Sequence, residues 1–150
     1  MAWAHDGRLL VVVHGKSSPS ALEWSRFLNA NRSLRDPRIL VCTYGGGPDG
    51  NQRRELMGDA FYGGVPTMVM TDSAIARGIV TVLNWFNPNM KAQPLNADTV
   101  AHRLLGLDAH EATSAVQLRE NLERQLRLGR FSELAANGTV PEPPTELRPR

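Results

Sequence analysis

The stretch at residues 65–86, VPTMVMTDSAIARGIVTVLNWF, constrains most strongly what this chain can fold into. A short apolar run at residues 66–70 stops at Thr71-Asp72-Ser73, and apolar residues at helical spacing follow at once. The first pattern is typical of a buried strand and the second of an amphipathic helix. The segment therefore predicts a strand that delivers an acid and a hydroxyl to a helix start, where α/β domains usually place their working residues.

The same alternation of strand and helix patterns continues along the chain. The apolar runs predict strands at residues 9–13, 38–43, 66–70 and 90–94, the last at a sheet edge. Helices are predicted at residues 19–31, 52–61 and 73–86, and a further one from a cap at Asn96 or Asp98 through Leu107. Strands that alternate with helices favour crossover connections and a parallel sheet. We therefore predict a three-layer α/β fold with a mainly parallel sheet of about four strands and flanking helices.

Apolar spacing also predicts which side of each late helix faces the core. The helix at 73–86 should turn inward a stripe made of Ile75, Ile79, Val82, Leu83 and Phe86, with Val80 off that stripe. The helix that ends at Leu107 should turn inward Val100, Leu104 and Leu107.

The chain divides into three predicted parts: an α/β domain at residues 1–110, an amphipathic C-terminal helix at 111–130, and a flexible proline-rich tail at 131–150. The C-terminal helix carries a narrow apolar stripe of Ala115, Leu118, Leu122 and Leu126. Such a stripe either packs on the domain or meets a second copy as a homo-oligomer, and the sequence leaves both open.

Composition excludes several classes of protein. The net charge of +2 over 150 residues, with only Lys16 and Lys91 as lysines, gives no basic arm for nucleic acid. No apolar run reaches the length of a membrane helix, so we expect a cytoplasmic protein that binds neither membrane nor nucleic acid. Cys42, the single cysteine, lies within a predicted strand, and no Cys/His spacing predicts a zinc site. We expect no metal and no cofactor.

Asp72 and Ser73 have two interpretations. In the first they only begin the helix, with Asp72 accepting hydrogen bonds from the free backbone amides. In the second Ser73 is a phospho-acceptor, because a phosphate there would sit at the positive end of the helix dipole with Arg77 one turn on.

Asp72-Ser73, placed between a buried strand and an apolar helix, resembles the sulfate-transporter and anti-sigma-factor-antagonist (STAS) family, over about residues 8–107. In that family a strand ends in Asp-Ser-Ser-Gly-Leu-Gly, and a partner kinase phosphorylates the serine that follows the aspartate. The resemblance implies that Asp72 is the acid at the helix start and Ser73 the phospho-acceptor, and that the partner is an anti-sigma-type serine kinase. An antiparallel strand pair usually opens the STAS fold, and we predict none here.

The glycine-rich segment at residues 45–50 supports an alternative. Gly45, Gly47 and Gly50 satisfy the pattern G-x-G-x-x-G between a strand and a helix, and Arg53 follows at the helix start. Such a loop is typical of nucleotide or phosphate binding. His14 follows the first strand and should lie at the same edge. The context of Ser73 lacks the nucleophile elbow G-x-S-x-G, so the sequence does not favour a hydrolase.

We therefore expect a non-enzymatic, STAS-like bacterial signalling module. Its partner-binding edge should contain His14, Gly45, Gly47, Gly50, Arg53, Asp72 and Arg77, and its partner should be a regulatory protein. The alternative is a small nucleotide- or phosphate-binding protein that uses the glycine-rich loop at 45–50.

Overall fold

A computed structural model describes residues 1–59 and 62–127 of the chain. These residues form a five-stranded sheet with strand order β1-β2-β3-β4-β5. Strand β1 is antiparallel to β2, and the other neighbouring pairs are parallel. The strands are β1 (Ala2–Asp6), β2 (Leu9–His14), β3 (Arg38–Thr43), β4 (Thr67–Met70) and β5 (Met90–Gln93).

Five α-helices are described: α1 (Ala21–Arg32), α2 (Gly50–Gly58), α3 (Ala74–Leu83), α4 (Asp98–Leu105) and α5 (Ala109–Arg127). A short 3-10 helix, Tyr62–Gly64, precedes β4. The predicted α/β class with a mainly parallel sheet is confirmed, but the sheet has five strands rather than about four. The second predicted helix ends at Gly58; Ala60 and Phe61, which we placed in it, lie outside the described residues, as does the predicted tail at 131–150.

The additional strand is β1, so the expectation that the chain lacks an opening antiparallel pair is wrong. Its register pairs Ala2 with Val13 and Asp6 with Leu9, which leaves Gly7 and Arg8 as a two-residue turn. Gly7 has a φ of 55°, which a glycine adopts without strain in the tight turns of hairpins. The strand escaped prediction because AWAHD contains no continuous apolar run.

The sheet is covered on both faces, and β2 is buried along its whole length. On the first face Leu10, Val12 and Ile39 pack against Trp24, Phe27 and Leu28 of α1. On the second face, alternate strand residues pack against α4 and α5: Leu9, Val11, Leu40, Cys42, Met68 and Met70. Cys42 is fully buried, as predicted for a strand thiol, and burial raises its pKa to about 12.

The strand order explains why two groups of helices cover different faces. Each parallel strand is added on the same side of its predecessor, and crossover connections are almost always right-handed. The helices that connect β2 to β5 must therefore lie on one face. The other face receives only the helices that follow β5.

The stripe of α5 is covered by the chain's own sheet. Ala115 and Leu122 are buried in the second-face core, and Leu118 and Leu126 pack against it. Of the two alternatives left open by the sequence, packing on the domain is the one observed. Self-association would have to use another surface.

The predicted inward face of α4 is wrong by one residue. Ala101, His102 and Leu105 are buried, whereas Val100 and Leu104 are exposed by 37% and 43%. The helix begins at Asp98 after Ala97, which makes no side-chain cap, so neither predicted cap residue, Asn96 or Asp98, holds the N-cap position. Leu107 follows the helix and packs against the core as a partly buried residue.

Within residues 1–59 and 62–127, none of the helices combines the length and the apolar character needed to cross a membrane.

Candidate functional site

The predicted site residues meet at one edge of the sheet, where β2, β3 and β4 end. His14 closes β2 beside Thr43 of β3, and Ser73 begins α3 shortly after β4. A groove of about 570 Å³ opens along the first face of the sheet, between the sheet and α3. Most predicted edge residues line it: His14, Gly45, Gly47, Gly50, Arg53 and Ser73. Asp72 and Arg77 lie outside this lining.

The glycine-rich loop is held against the loop that follows β2. The amide of Gly46 donates to the carbonyl of Gly15 at 2.7 Å, and the hydroxyl of Thr43 donates to the carbonyl of Gly46. A Cβ at Gly46 would lie 2.6 Å from the carbonyl oxygens of Gly15 and Ser17. Gly45 has a φ of 111°, a conformation that side chains disfavour. The loop therefore needs glycine at both positions to pass this close to its neighbour.

The start of α2 is already capped by its own residues. The carboxylate of Asp49 accepts from the amides of Asn51 and Gln52 at 2.8 and 2.9 Å, and Gln52 accepts in return from the amide of Asp49 at 2.8 Å. A phosphate at this helix start would compete with that carboxylate for the same amides. Arg53 donates to the carbonyl of Pro48 at 2.6 Å. The nucleotide or phosphate alternative stays a prediction, and the capped helix start counts against it.

Ser73, and not Asp72, caps α3. The Ser73 hydroxyl accepts from the amide of Ala76 at 3.3 Å. The Asp72 carboxylate instead accepts from the amide of Leu95 at 3.1 Å and so joins the loop before α3 to the loop after β5. The expectation that Asp72 accepts from the first amides of the helix is therefore wrong.

Arg77 lies at the same helix start as Ser73. Its guanidinium donates to the carbonyl of Thr71 at 3.4 Å, and the hydroxyl of the buried Thr71 accepts from the amide of Ser73 at 3.1 Å. Ser73 is partly exposed. The Arg77 guanidinium and Ser73 are thus both hydrogen-bonded to Thr71, just before α3.

The groove is mainly apolar. Its floor is the first face of the sheet, with Ile39 and Val41 of β3 and Val69 of β4. One wall comes from α1 and α2, and the other from α3. The wall residues are Trp24, Phe27, Leu56, Met57, Ala76, Ile79, Val80 and Leu83. A groove of this size and character falls in the range of small-molecule sites.

His14 is one of the buried polar residues that line the groove, with Thr43, Thr67 and Asn87. Its side chain is only 4% exposed, and its Nδ1 has no hydrogen-bond partner among the described residues. Burial, together with the positive charge of the N-terminus, lowers its pKa to about 4, although Glu23 acts in the opposite direction. The imidazole is therefore neutral at pH 7, and its Nδ1 makes no hydrogen bond with the described residues.

Helix α3 packs beside β5, but most of its predicted inward stripe does not enter a core. Only Val80, which lies off the predicted stripe, is buried. Ile75, Ile79, Leu83 and Phe86 line the groove instead of filling a core. Ile75, Val82, Trp85 and Phe86 are exposed by 79%, 48%, 78% and 52%. Helical spacing identified the correct side of the helix for most of the stripe. It could not show whether that side fills a core or lines a groove.

Sequence reasoning missed the polar cluster that joins α5 to this edge. Arg119 donates to Asp98 at 2.7 Å, to Glu123 at 2.8 Å and to the carbonyl of Leu95 at 3.1 Å. The Tyr44 hydroxyl, next to the glycine-rich loop, donates to Glu123. The only local signal was the Arg119–Glu123 spacing of four, because the other partners are far apart in sequence.

In the parts of the chain that the structure describes, no three His, Cys, Asp or Glu side chains gather closely enough to hold a metal ion. Comparison with protein-family models, curated proteins and solved structures gives no significant match.

Proposed function

We propose that this chain is a non-enzymatic regulatory module that binds a protein partner through α3 and the turn after it. The observation that carries the proposal is the exposure of four large apolar side chains there, Ile75, Val82, Trp85 and Phe86. We call these four residues the partner surface. Contiguous apolar side chains exposed on a folded domain mark interaction sites, because covering them removes apolar area from water.

The composition of the partner surface also fits a protein interface. Trp85 is 78% exposed, and tryptophan is among the residues that contribute most to binding when an interface covers them. Ile75 and Phe86 also form the rim of the groove, whereas Val82 and Trp85 do not line it. A partner that covers all four would bury an apolar centre with the polar helix start beside it.

Ser73 supplies a switch in this proposal. It is partly exposed at the start of α3, two residues before Ile75. A phosphate on its oxygen would gain from the helix dipole and from Arg77, and would place about two negative charges beside the apolar surface. Binding would then weaken through the cost of desolvating that charge.

The resemblance to the STAS family favours an anti-sigma-type serine kinase as the partner and the bacterial cytoplasm as the location. The antiparallel pair of β1 and β2 is compatible with that resemblance, since such a pair usually opens the STAS fold. The sharpest residue-level support remains Asp72-Ser73 between a buried strand and an apolar helix.

The experiment is site-specific photo-crosslinking of the full chain in its native cells. A photoreactive amino acid replaces Trp85 in one variant and Leu22 in the control; Leu22 is 53% exposed on α1, away from α3. We expect one protein to be captured at position 85 and not at position 22. The same proteins captured at both positions would overturn the proposed surface.

Affinity measurements with the captured protein then test the contacts. We expect Val82→Glu to weaken binding by about tenfold or more and Leu22→Glu to leave it unchanged. Ser73→Asp should weaken binding, Ser73→Ala should not, and mass spectrometry should find phosphate on Ser73 in cells. An affinity unchanged by Val82→Glu would overturn the proposed partner surface. An affinity unchanged by Ser73→Asp would overturn only the proposed switch.

A further inference from the structure

The groove contains apolar surface that no described side chain fills. Its floor and both walls are aliphatic or aromatic, and its volume is about 570 Å³. Well-packed domains rarely leave a space of this size unless a ligand occupies it. The apolar lining requires the greater part of that ligand to be hydrocarbon.

One end of the groove is polar and carries unpaired positive charge. Lys16 and Arg53 both line it, and neither forms an ion pair with a described residue. Asp49 lies at the same end, but one of its oxygens already accepts from two amides of α2. His14 lines this end too, with its buried Nδ1 unpartnered. A buried nitrogen without a partner is unfavourable, and a ligand oxygen would relieve it.

We propose that the groove binds a soluble amphiphilic carboxylate, with a hydrocarbon chain lying between Val41, Val69 and Ile79 and its carboxylate beside His14, Lys16 and Arg53. The positive charge of Lys16 and Arg53 selects an anionic head group. The apolar lining of the groove selects an unbranched or flexible apolar chain. Burial keeps the His14 imidazole neutral, so that it can donate one hydrogen bond to a carboxylate oxygen without carrying charge itself.

This inference does not rest on the partner surface. The groove is tested through Ala76 and Arg53, and the partner surface through Val82 and Trp85, which do not line the groove. Either proposal can therefore fail while the other stands.

The first experiment compares head groups on a common twelve-carbon chain. Dodecanoate, dodecanol and dodecyltrimethylammonium are titrated separately into the full-length chain below their micelle concentrations. Binding is followed by tryptophan fluorescence, because Trp24 lines the groove, and by the melting temperature, which a ligand of the folded state raises. We expect dodecanoate to bind most tightly and the ammonium compound most weakly. Equal binding of the three, or binding of none, would overturn the proposal.

The second experiment locates the bound chain with matched variants. Ala76 and Ala74 both lie on α3, but only Ala76 lines the groove. We expect Ala76→Trp to abolish dodecanoate binding and Ala74→Trp to preserve it. If Ala76→Trp does not fold, as judged by circular dichroism, Leu83→Trp replaces it. Binding that survives a groove-filling tryptophan would show that dodecanoate lies elsewhere.

The head-group contact is tested on neighbouring arginines of α2. Arg53 lines the groove and Arg54 does not. We expect Arg53→Gln to weaken dodecanoate binding by up to about fivefold and Arg54→Gln to leave it unchanged. In a nuclear magnetic resonance titration at pH 7, where the carboxylate is charged, dodecanoate should shift the ring resonances of His14, because its carboxylate lies beside the imidazole. Unchanged His14 resonances would place the carboxylate away from this end.

A membrane lipid could present the same chemistry, so vesicles provide the last test. We expect the chain to remain unbound to vesicles of anionic phosphatidylglycerol while it binds free dodecanoate. Binding to vesicles without binding to dodecanoate would overturn the proposal of a soluble ligand.

Discussion

Arg8 and Glu111, 103 residues apart in sequence, form a bidentate ion pair that joins the β1–β2 turn to the first turn of α5. Two nitrogens of the guanidinium donate to the two carboxylate oxygens, at 2.6 and 3.1 Å. Glu111 also accepts from the amide of Asp108 at 2.9 Å, and Asp108 accepts from the amide of Glu111 at 2.8 Å. Glu111 thus completes the reciprocal cap of α5 and also fixes the helix to the opening hairpin.

This pair predicts an acid-sensitive contribution to stability. The hydrogen bond from Arg8 is the largest cause that lowers the pKa of Glu111. A carboxyl group with a lowered pKa in the folded state stabilises the protein at neutral pH, and that contribution is lost as the pH falls through the lowered pKa. We expect Glu111→Gln to melt below the wild type at pH 7, with the gap closing as the pH falls through the lowered pKa of Glu111. A gap that stays constant with pH would contradict an ionic contribution.

His14 predicts a second pH effect, near neutrality. Its pKa is lowered to about 4 from the ordinary histidine value of 6.5, so as the pH falls the unfolded chain binds a proton before the folded chain does. Stability is therefore complete above pH 6.5 and declines as the pH falls toward 4; between pH 7 and pH 5 we expect a loss of about 2 kcal/mol. Urea unfolding of the wild type and His14→Gln at both pH values checks this. His102, whose pKa is also lowered, is retained in both proteins and cancels. Equal losses in the two proteins would assign the effect to other groups.

The packing of α5 predicts that it belongs to the core of the domain. Leu122 is 3% exposed against the sheet, and Val116 of the same helix is 39% exposed. Leu122→Ala should lower the free energy of unfolding by about 3 kcal/mol, since it leaves a cavity in the core. Val116→Ala should change it by less than about 0.5 kcal/mol. Chemical denaturation measures both, and similar small effects would mean that α5 contributes little to the fold.

The glycine-rich loop predicts a difference between adjacent glycines. Alanine at Gly46 would place its Cβ 2.6 Å from two backbone oxygens, whereas a Cβ at Gly47 meets nothing within 4 Å. We expect Gly46→Ala to destabilise the protein by about 1–3 kcal/mol, because backbone must move to admit it. Gly47→Ala should change stability by less than about 1 kcal/mol. Thermal melts of the two variants compare them directly, and equal melting temperatures would show that the loop is not held as described.

The central strands could be predicted from the sequence because they are buried on both sides. A continuous apolar run such as LLVVV leaves no other stable placement, and the bounds of β3 matched the prediction. The start of α1 was predicted to within two residues: the helix expected from residue 19 begins at Ala21, after a reciprocal cap between Ser20 and Glu23. These elements depend on residues that are close together in the sequence, so sequence patterns were enough to predict them.

The candidate site was harder to predict because it depends on spacing between elements. The helical pattern of α3 is the same whether Ile79 and Leu83 fill a core or line a groove, since periodicity reports direction and not distance. The low pKa of His14 arises from burial by distant residues, not from its neighbours in sequence. The rotation of α4 likewise followed from the packing of Ala101 and Leu105 against the sheet, which left Val100 and Leu104 exposed.

The sequential strand order has a consequence for how the protein is made. Because every crossover helix lies on the first face, the second face, with Leu40, Cys42 and Met68, stays bare until α4 and α5 exist. A ribosome synthesises those helices after all five strands. The emerging sheet therefore exposes an apolar surface until α5 is complete, and we expect a chain truncated before Leu122 to aggregate.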